Sequence, residues 1–262
     1  MKRYTIFMLA PILLLMAVGC GNETGESSTS SAIGFNSPED AVVAYLEGLR
    51  DSDLDRMINA FAIEIYIENY DFEAFSNRMR WHSPMQDVRM PNINEFVTAM
   101  NIENRRATII DGIIFQYIFL SYPEFDALSV TFIDEGEESD FVREFSDNLN
   151  DLDLSSIEII GFIPPEALTE LYQSEINQNN IANQTGIVGV GELVNQVAAF
   201  ELDGNKYLLA VEVGNYNGQW YLLNLGGNVS ALLGIGVYQQ GIMPVDSIDD
   251  LELDLEVLIV PY

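Results

Sequence analysis

The run ELVNQVAAFELDGNKYLLAVEVGNYNGQWYLLNL, residues 192–225, decides the fold. Its three β-prone segments are joined by Asp203-Gly204 and Asn217-Gly218, dipeptides that supply the positive φ needed by tight hairpins. Tyr207, Leu209, Val211 and Val213 alternate with Leu208, Ala210 and Glu212. Trp220, Leu222 and Asn224 alternate with Tyr221, Leu223 and Leu225. Period-two alternation between close turns predicts a three-stranded antiparallel meander.

Upstream the pattern is helical. Ser37-Pro38-Glu39-Asp40 places a capping serine before proline and an acid three residues after the cap. Ala41, Val42, Tyr45, Leu46 and Leu49 follow at helical spacing. Ser52-Asp53-Leu54-Asp55 opens a second helix, with Leu54, Met57, Ile58, Phe61 and Ala62 facing inward. Residues 68–82 and Asn92 to Glu103 are predicted as two more. Ala107 to Tyr122, rich in Ile and Phe, reads as one or two buried strands around Asp111-Gly112, and Leu128 to Ile133 as another.

Further on, 134–153 is an acidic helix around Phe141, Val142, Phe145 and Leu149. Ile157 to Ile163 is a strand stopped by Pro164-Pro165, followed by a short helix through Leu168, Leu171 and Tyr172. The Asn- and Gln-rich stretch Gln173 to Gln184 is expected to be a loop. Val229 to Val237 suggests a short helix beside the sheet. Leu251 to Val257 alternates as a half-exposed strand, with helix the alternative for 247–253. The class is α+β: a helical N-terminal half packed on a mainly antiparallel curved sheet with a C-terminal β-meander. If the body, residues 36–262, has two lobes, their boundary lies near 122–126.

Residues 1–19 form a different kind of segment. Lys2 and Arg3 precede an uncharged apolar stretch from Ile6 to Val18. It is short for a transmembrane helix, which needs about 20 apolar residues, and reads as a secretory signal peptide. The run Leu15-Met16-Ala17-Val18-Gly19-Cys20 resembles the lipobox of bacterial lipoproteins, with Ala17 where leucine is most usual. That resemblance implies cleavage between Gly19 and Cys20, and a diacylglyceryl group on the Cys20 sulfur. The alternatives are a plain signal peptide with an incidental cysteine, or an uncleaved anchor. Residues 20–35 then carry the lipidated cysteine and a polar tether. Its 14 linker residues, 21–34, span about 20 Å as a flexible coil.

The chain holds 41 Asp and Glu against 11 Lys and Arg, a formal charge of −30. Removing the leader with Lys2 and Arg3 makes it −32. Nucleic acid is excluded, because its binding depends on Lys and Arg neutralising phosphates. Anionic lipid would repel the body within a Debye length of about 8 Å, so the membrane partnership runs through the lipid on Cys20. Cations, basic peptides and neutral glycans fit the charge. So does plain solubility, with no partner.

The helical half followed by an antiparallel sheet resembles the nuclear-transport-factor-2-like or SnoaL-like α+β domains of secreted lipoproteins. The similarity rests on the capped helix pair of Ser37–Ala62 and the Trp220-Tyr221 strand after its Asn-Gly turn. It implies a cone-shaped pocket between helices and sheet. The chain is longer than such a cone, so an insertion or second lobe goes with that reading.

Residues that carry chemistry are few. His82 is the single histidine, and a His82–Asp87 dyad would supply general acid/base chemistry. The plainer reading is a surface histidine at a helix end. Asp51, Asp53 and Asp55 have the 1, 3, 5 spacing of a calcium loop. Arg56 and Ala62, however, stand where that loop needs glycine and a bidentate glutamate, so these acids read as a helix cap. The runs Asp134 to Glu138 and Asp246 to Glu256 are solvated acidic faces or weak cation sites. Gly186 to Gly191 lacks the order and lysine of a phosphate cradle. Tyr216, Trp220 and Tyr221 are the candidate ligand platform for a sugar or peptide, with cross-strand packing the alternative. One cysteine leaves no disulfide, redox pair or thiolate zinc site, and no cofactor or metal is expected.

These readings converge on a lipid-anchored, extracytoplasmic bacterial lipoprotein with a noncatalytic binding or envelope-scaffold domain. A peptide, glycan or protein is its partner. The rival is a small-molecule enzyme or ligand carrier with a cone-shaped pocket and His82 or an inward carboxylate as base.

Overall fold

In the computed structural model both hairpin dipeptides take left-handed backbone, with φ of 50° and 79° at Asp203-Gly204 and 55° and 85° at Asn217-Gly218. These turns join β2 (Glu192–Leu202), β3 (Asn205–Tyr216) and β4 (Gln219–Leu225) into the meander. The structure describes residues 34–82, 86, 88–123, 133–134, 136, 138–245 and 259–260, all within one compact unit.

The helices precede the meander in sequence. α1 (Pro38–Arg50) is capped by Ser37, whose hydroxyl accepts from Asp40 N–H at 3.1 Å. α2 (Leu54–Asn59) is capped by Asp53. α3 (Ile63–Asn69) and α4 (Phe72–Met79) follow, so the single helix expected over 68–82 is two, broken at Tyr70-Asp71. α5 (Glu95–Ser121) runs 27 residues. The stretch expected as strand, Ala107 to Tyr122, is therefore helix through Ser121, with Tyr122 its C-cap. Its buried positions, Val97, Asn101, Arg105, Ile109, Ile113, Gln116 and Leu120, keep a helical period that polar residues disguise.

α6 (Glu138–Asp151) is the acidic helix, held to α5 by Tyr117 Oη donating to Leu149 O at 3.1 Å. Next come β1 (Glu158–Phe162), α7 (Pro165–Leu168) and a 3-10 turn at Glu170–Gln173. α8 (Glu175–Val188) occupies the stretch expected to be a loop. Its N-cap Ser174 accepts from Asn177 N–H at 3.3 Å, and it ends at left-handed Gly189. After the meander, α9 (Asn228–Leu232) leads to β5 (Ile242–Pro244). The strands expected at 128–133 and 251–257 lie outside the described residues, apart from Ile133. The suggested lobe boundary at 122–126 falls at the end of α5 and partly outside them.

Among the described residues the sheet is antiparallel, ordered β1-β2-β3-β4, with β5 on β3. β4 and β5 share one edge of β3: Val211 to Tyr216 pair with β4, and Tyr207 to Leu209 with β5. Irregular registers at Ile159/Gly161 and Glu212/Val213 bend the strands.

One face carries Ala198, Phe200, Leu209, Val211, Val213 and Leu222 against α1, α2 and α5. The other is divided. Leu193, Tyr216 and Leu223 pack beneath α3 and α8, while Val197, Ala199, Leu208 and Ala210, with Met243 of β5 on the same sheet, pack beneath α7 and α9. Between these clusters runs a polar row of Asn195, Glu212 and Asn224, which are register partners. Apolar burial drives each cluster. The row needs internal partners.

Candidate functional site

β1 stays beside β2 from Glu158↔Glu201 to Phe162↔Ala198, and Ile163 N–H then donates to Val197 O at 2.9 Å. Pro164 and Pro165 have no N–H to continue the ladder, and the chain turns away into α7. From Glu192 to Gln196, β2 pairs with β3, and among the described residues no strand covers its outer edge. A cavity of about 520 Å³ lies at this opening. Phe162, Pro164, Pro165 and Val194 form apolar walls, and Glu39, Glu166, Tyr172, Asn195 and Gln196 supply polar groups.

Successive strand residues face opposite sides of the sheet, so the cavity wraps the edge of β2. On the α1 side, Gln196 Nε2 donates to Glu39 Oε1 at 3.0 Å. On the α7 side, Asn195 is 3% exposed. The half-buried Tyr172 phenol lies beside it. Burial raises the Tyr172 pKa, hydrogen bonds from Asn195's side chain and main chain oppose that, and Glu166 and Glu212 add to it. No Lys, Arg or His lines the cavity among the described residues. The site therefore favours cations and groups that both give and accept hydrogen bonds.

Glu212, 4% exposed, is committed inward. It accepts from Asn224 Nδ2 at 2.6 Å and from Asn228 N–H at 3.3 Å. Asn224 Oδ1 in turn accepts from Arg105 at 3.1 Å. The Arg105 guanidinium also donates to Leu223 O and lies 4.1 Å from the Tyr66 ring centre. A second cavity, of about 420 Å³, is lined by Phe35, Asp53, Asp55, Arg56 and Asn59. Its Arg56 is held by Glu47 and Asp51, and its Asp53 caps α2.

The residues singled out from sequence are dispersed. His82 is exposed, its ring 5.8 Å from that of Phe72, and Asp87 lies outside the described residues. So do Gly19, Cys20 and the run 246–256. Tyr216 is buried and donates to Val188 O at 2.7 Å. Tyr221 packs edge-on to it at 6.3 Å between ring centres. Trp220 pairs with Phe35 through backbone hydrogen bonds of 2.9 and 3.0 Å. Asp53 accepts from Arg56 N–H at 3.0 Å, the cap expected of it. Among the described residues no group of three or more His, Cys, Asp or Glu could hold a metal ion.

Sequence reasoning passed over Asn195, Tyr172 and Glu39. One signal was present: Asn195 interrupts Leu193, Val197 and Ala199 on one face of β2, and Glu212 interrupts Leu208, Ala210 and Gly214 on the matching face of β3.

No protein-family model matches the sequence, and no curated protein matches it. Among solved structures, a cystatin-like protein from Ruminococcus gnavus is similar over 71% of this chain, with a TM-score of 0.40 and 11% identity. The chain spans 39% of that protein's length. A likeness this distant carries no argument about function.

Proposed function

We propose that this chain is a lipid-anchored extracytoplasmic lipoprotein whose folded body is a noncatalytic binding domain, with its ligand seated at the open edge of β2. The binding reading rests on the 520 Å³ cavity at this edge, which sets Glu39, Glu166, Tyr172, Asn195 and Gln196 beside apolar Phe162, Pro164, Pro165 and Val194. A largely apolar hollow with a few convergent polar groups is the usual seat of a ligand. Exposed His82, its ring tilted at 57° to that of Phe72, favours binding over acid/base chemistry there.

The anchor rests on Lys2-Arg3, the apolar leader and Cys20. Lipid on Cys20 would supply the attachment. Two or more acyl chains hold a protein where one is marginal.

Cys20→Ser tests the anchor: the variant should leave the membrane fraction or accumulate unprocessed, and normal processing with retention ends that reading. Native mass spectrometry of the full chain in neutral detergent tests binding. A co-purifying molecule lost in Asn195→Leu supports it, and one retained by that variant overturns the assignment to this cavity.

A further inference from the structure

We infer, on the reading that Cys20 carries a lipid, that the start of α5 docks the folded body onto the bilayer. Met90, Ile93, Phe96 and Met100 enter the interfacial layer and fix the body's orientation on its tether.

The surface itself comes first. Ile93 and Phe96 are 74% and 73% exposed, and Met90 and Met100 are exposed as well. Phe96 and Met100 are four residues apart on α5 and so share one face of it. Asn94 caps the helix by accepting from Val97 N–H at 3.0 Å, which sets Ile93 directly before the first turn. Buried Asn101 donates to Met90 O at 2.8 Å and to Asn92 Oδ1 at 2.9 Å. Residues 90–92 are thus pinned along the start of α5, and the apolar side chains stand on fixed backbone. Single exposed apolar residues need no explanation, but a group of them marks an interaction surface.

Tether and charge select the partner. The described chain starts at Gly34, where a Cβ would lie 2.7 Å from Tyr221 Oη. Tyr221 packs on the cluster of Tyr66, Ile67, Val88 and Tyr216, and Ile102 of α5 packs on the same cluster. The root of the tether and the start of α5 therefore share one cluster, within reach of a linker spanning about 20 Å. Residues 74–94 carry Arg78, Arg80 and Arg89 against Asp87 alone, an excess of base in a chain of charge −30. Acidic α6 packs on the far end of α5 through Tyr117, about 30 Å along the helix from Phe96. Charges beyond about 8 Å are screened, so the repulsion felt by the whole body fades at this end. Apolar burial then drives insertion, and arginine stems reach back to the headgroups. A second copy of so acidic a chain would be repelled.

The test places one tryptophan on the docking face. Phe96→Trp is combined with Trp81→Phe and Trp220→Phe, which removes both native tryptophans. The full chain, purified from membranes, is reconstituted into phosphatidylcholine vesicles with plain or dibrominated acyl chains. Interfacial segments lie about 5–10 Å deep, so bromine should quench the reporter about twofold. Adding Ile93→Asp and Met100→Asp should abolish the quenching, while flotation with the vesicles and the thermal midpoint stay unchanged, since both positions are exposed. Raising salt to about 1 M, where the Debye length is about 3 Å, should leave the quenching in place.

A chain that floats with the vesicles but shows no quenching ends this inference and leaves the anchor standing. A chain that does not float ends both together. Quenching that survives Ile93→Asp and Met100→Asp, or disappears in high salt, would also overturn apolar docking through this face. So would a dimer in detergent that those two substitutions dissolve, because the face would then belong to a second copy.

Discussion

Glu212 and Asn224 face each other across β3 and β4 and are joined by a 2.6 Å hydrogen bond from Nδ2 to Oε2. Asn224 also accepts from Arg105. It thus bridges a buried anion and a buried cation. Replacing it leaves the Glu212 carboxylate and the Arg105 guanidinium each short of one hydrogen bond, at about 1–3 kcal/mol. Asn224→Leu should lower unfolding free energy by that amount in urea titrations followed by circular dichroism. A loss under about 1 kcal/mol would mean that the two charges do not depend on this bridge.

Gly227 closes over the same carboxylate. Its φ is 83°, and a Cβ there would lie 2.3 Å from Glu212 Cγ. Gly227→Ala should cost about 2–4 kcal/mol, combining left-handed strain with overpacking. Gly204→Ala provides the comparison, since its φ is 79° but nothing lies within 4 Å. It should cost only about 1–2 kcal/mol. Equal losses at the two sites would remove the packing argument.

Alkali should unfold this protein through its buried tyrosines. Burial raises the pKa of both Tyr45 and Tyr216 far above the ordinary 10.0. The folded state then holds a phenolic proton that the unfolded chain releases. Stability from these groups is complete below the unfolded pKa and falls as pH rises beyond about 10. Thermal midpoints between about pH 9 and 12 should therefore drop steadily, and Tyr216→Phe should make that drop shallower. Below about pH 9 the same substitution should cost about 1 kcal/mol, for the lost bond to Val188 O. An unchanged alkaline slope in Tyr216→Phe would count against the linkage.

Asp53→Ala tests whether the spaced acids 51, 53 and 55 cap a helix or hold an ion. Asp53 accepts from Arg56 N–H at 3.0 Å, so its loss should cost about 1 kcal/mol. The cost should be the same with millimolar calcium or with chelator. A calcium-dependent difference would restore the ion site.

The sequence could be read where structure is local. Asp203-Gly204 and Asn217-Gly218 fix two hairpins through their own backbone preferences, and Ser37 caps α1 within four residues. α5 was illegible for the opposite reason. Its inward positions include Asn101, Arg105 and Gln116, whose partners come from distant segments: Met90 O, Leu223 O and Gln240 O. Hydropathy saw only the Ile- and Phe-rich remainder and read strand. α8 suffered likewise, because its Asn and Gln residues resemble a loop until Ile187 and Val188 are seen packing beside Leu193 and Tyr216.

The sequence alone determined the α+β class, the meander with its turns and the acidic charge. Each depends on residues near one another in the chain or on summed composition. Tertiary structure decided the candidate site. The cavity beside β2 forms only because β1 departs at Pro164 while α1 brings in Glu39 from 157 positions away. No local preference encodes that meeting; it is set by how the two faces of one sheet are covered.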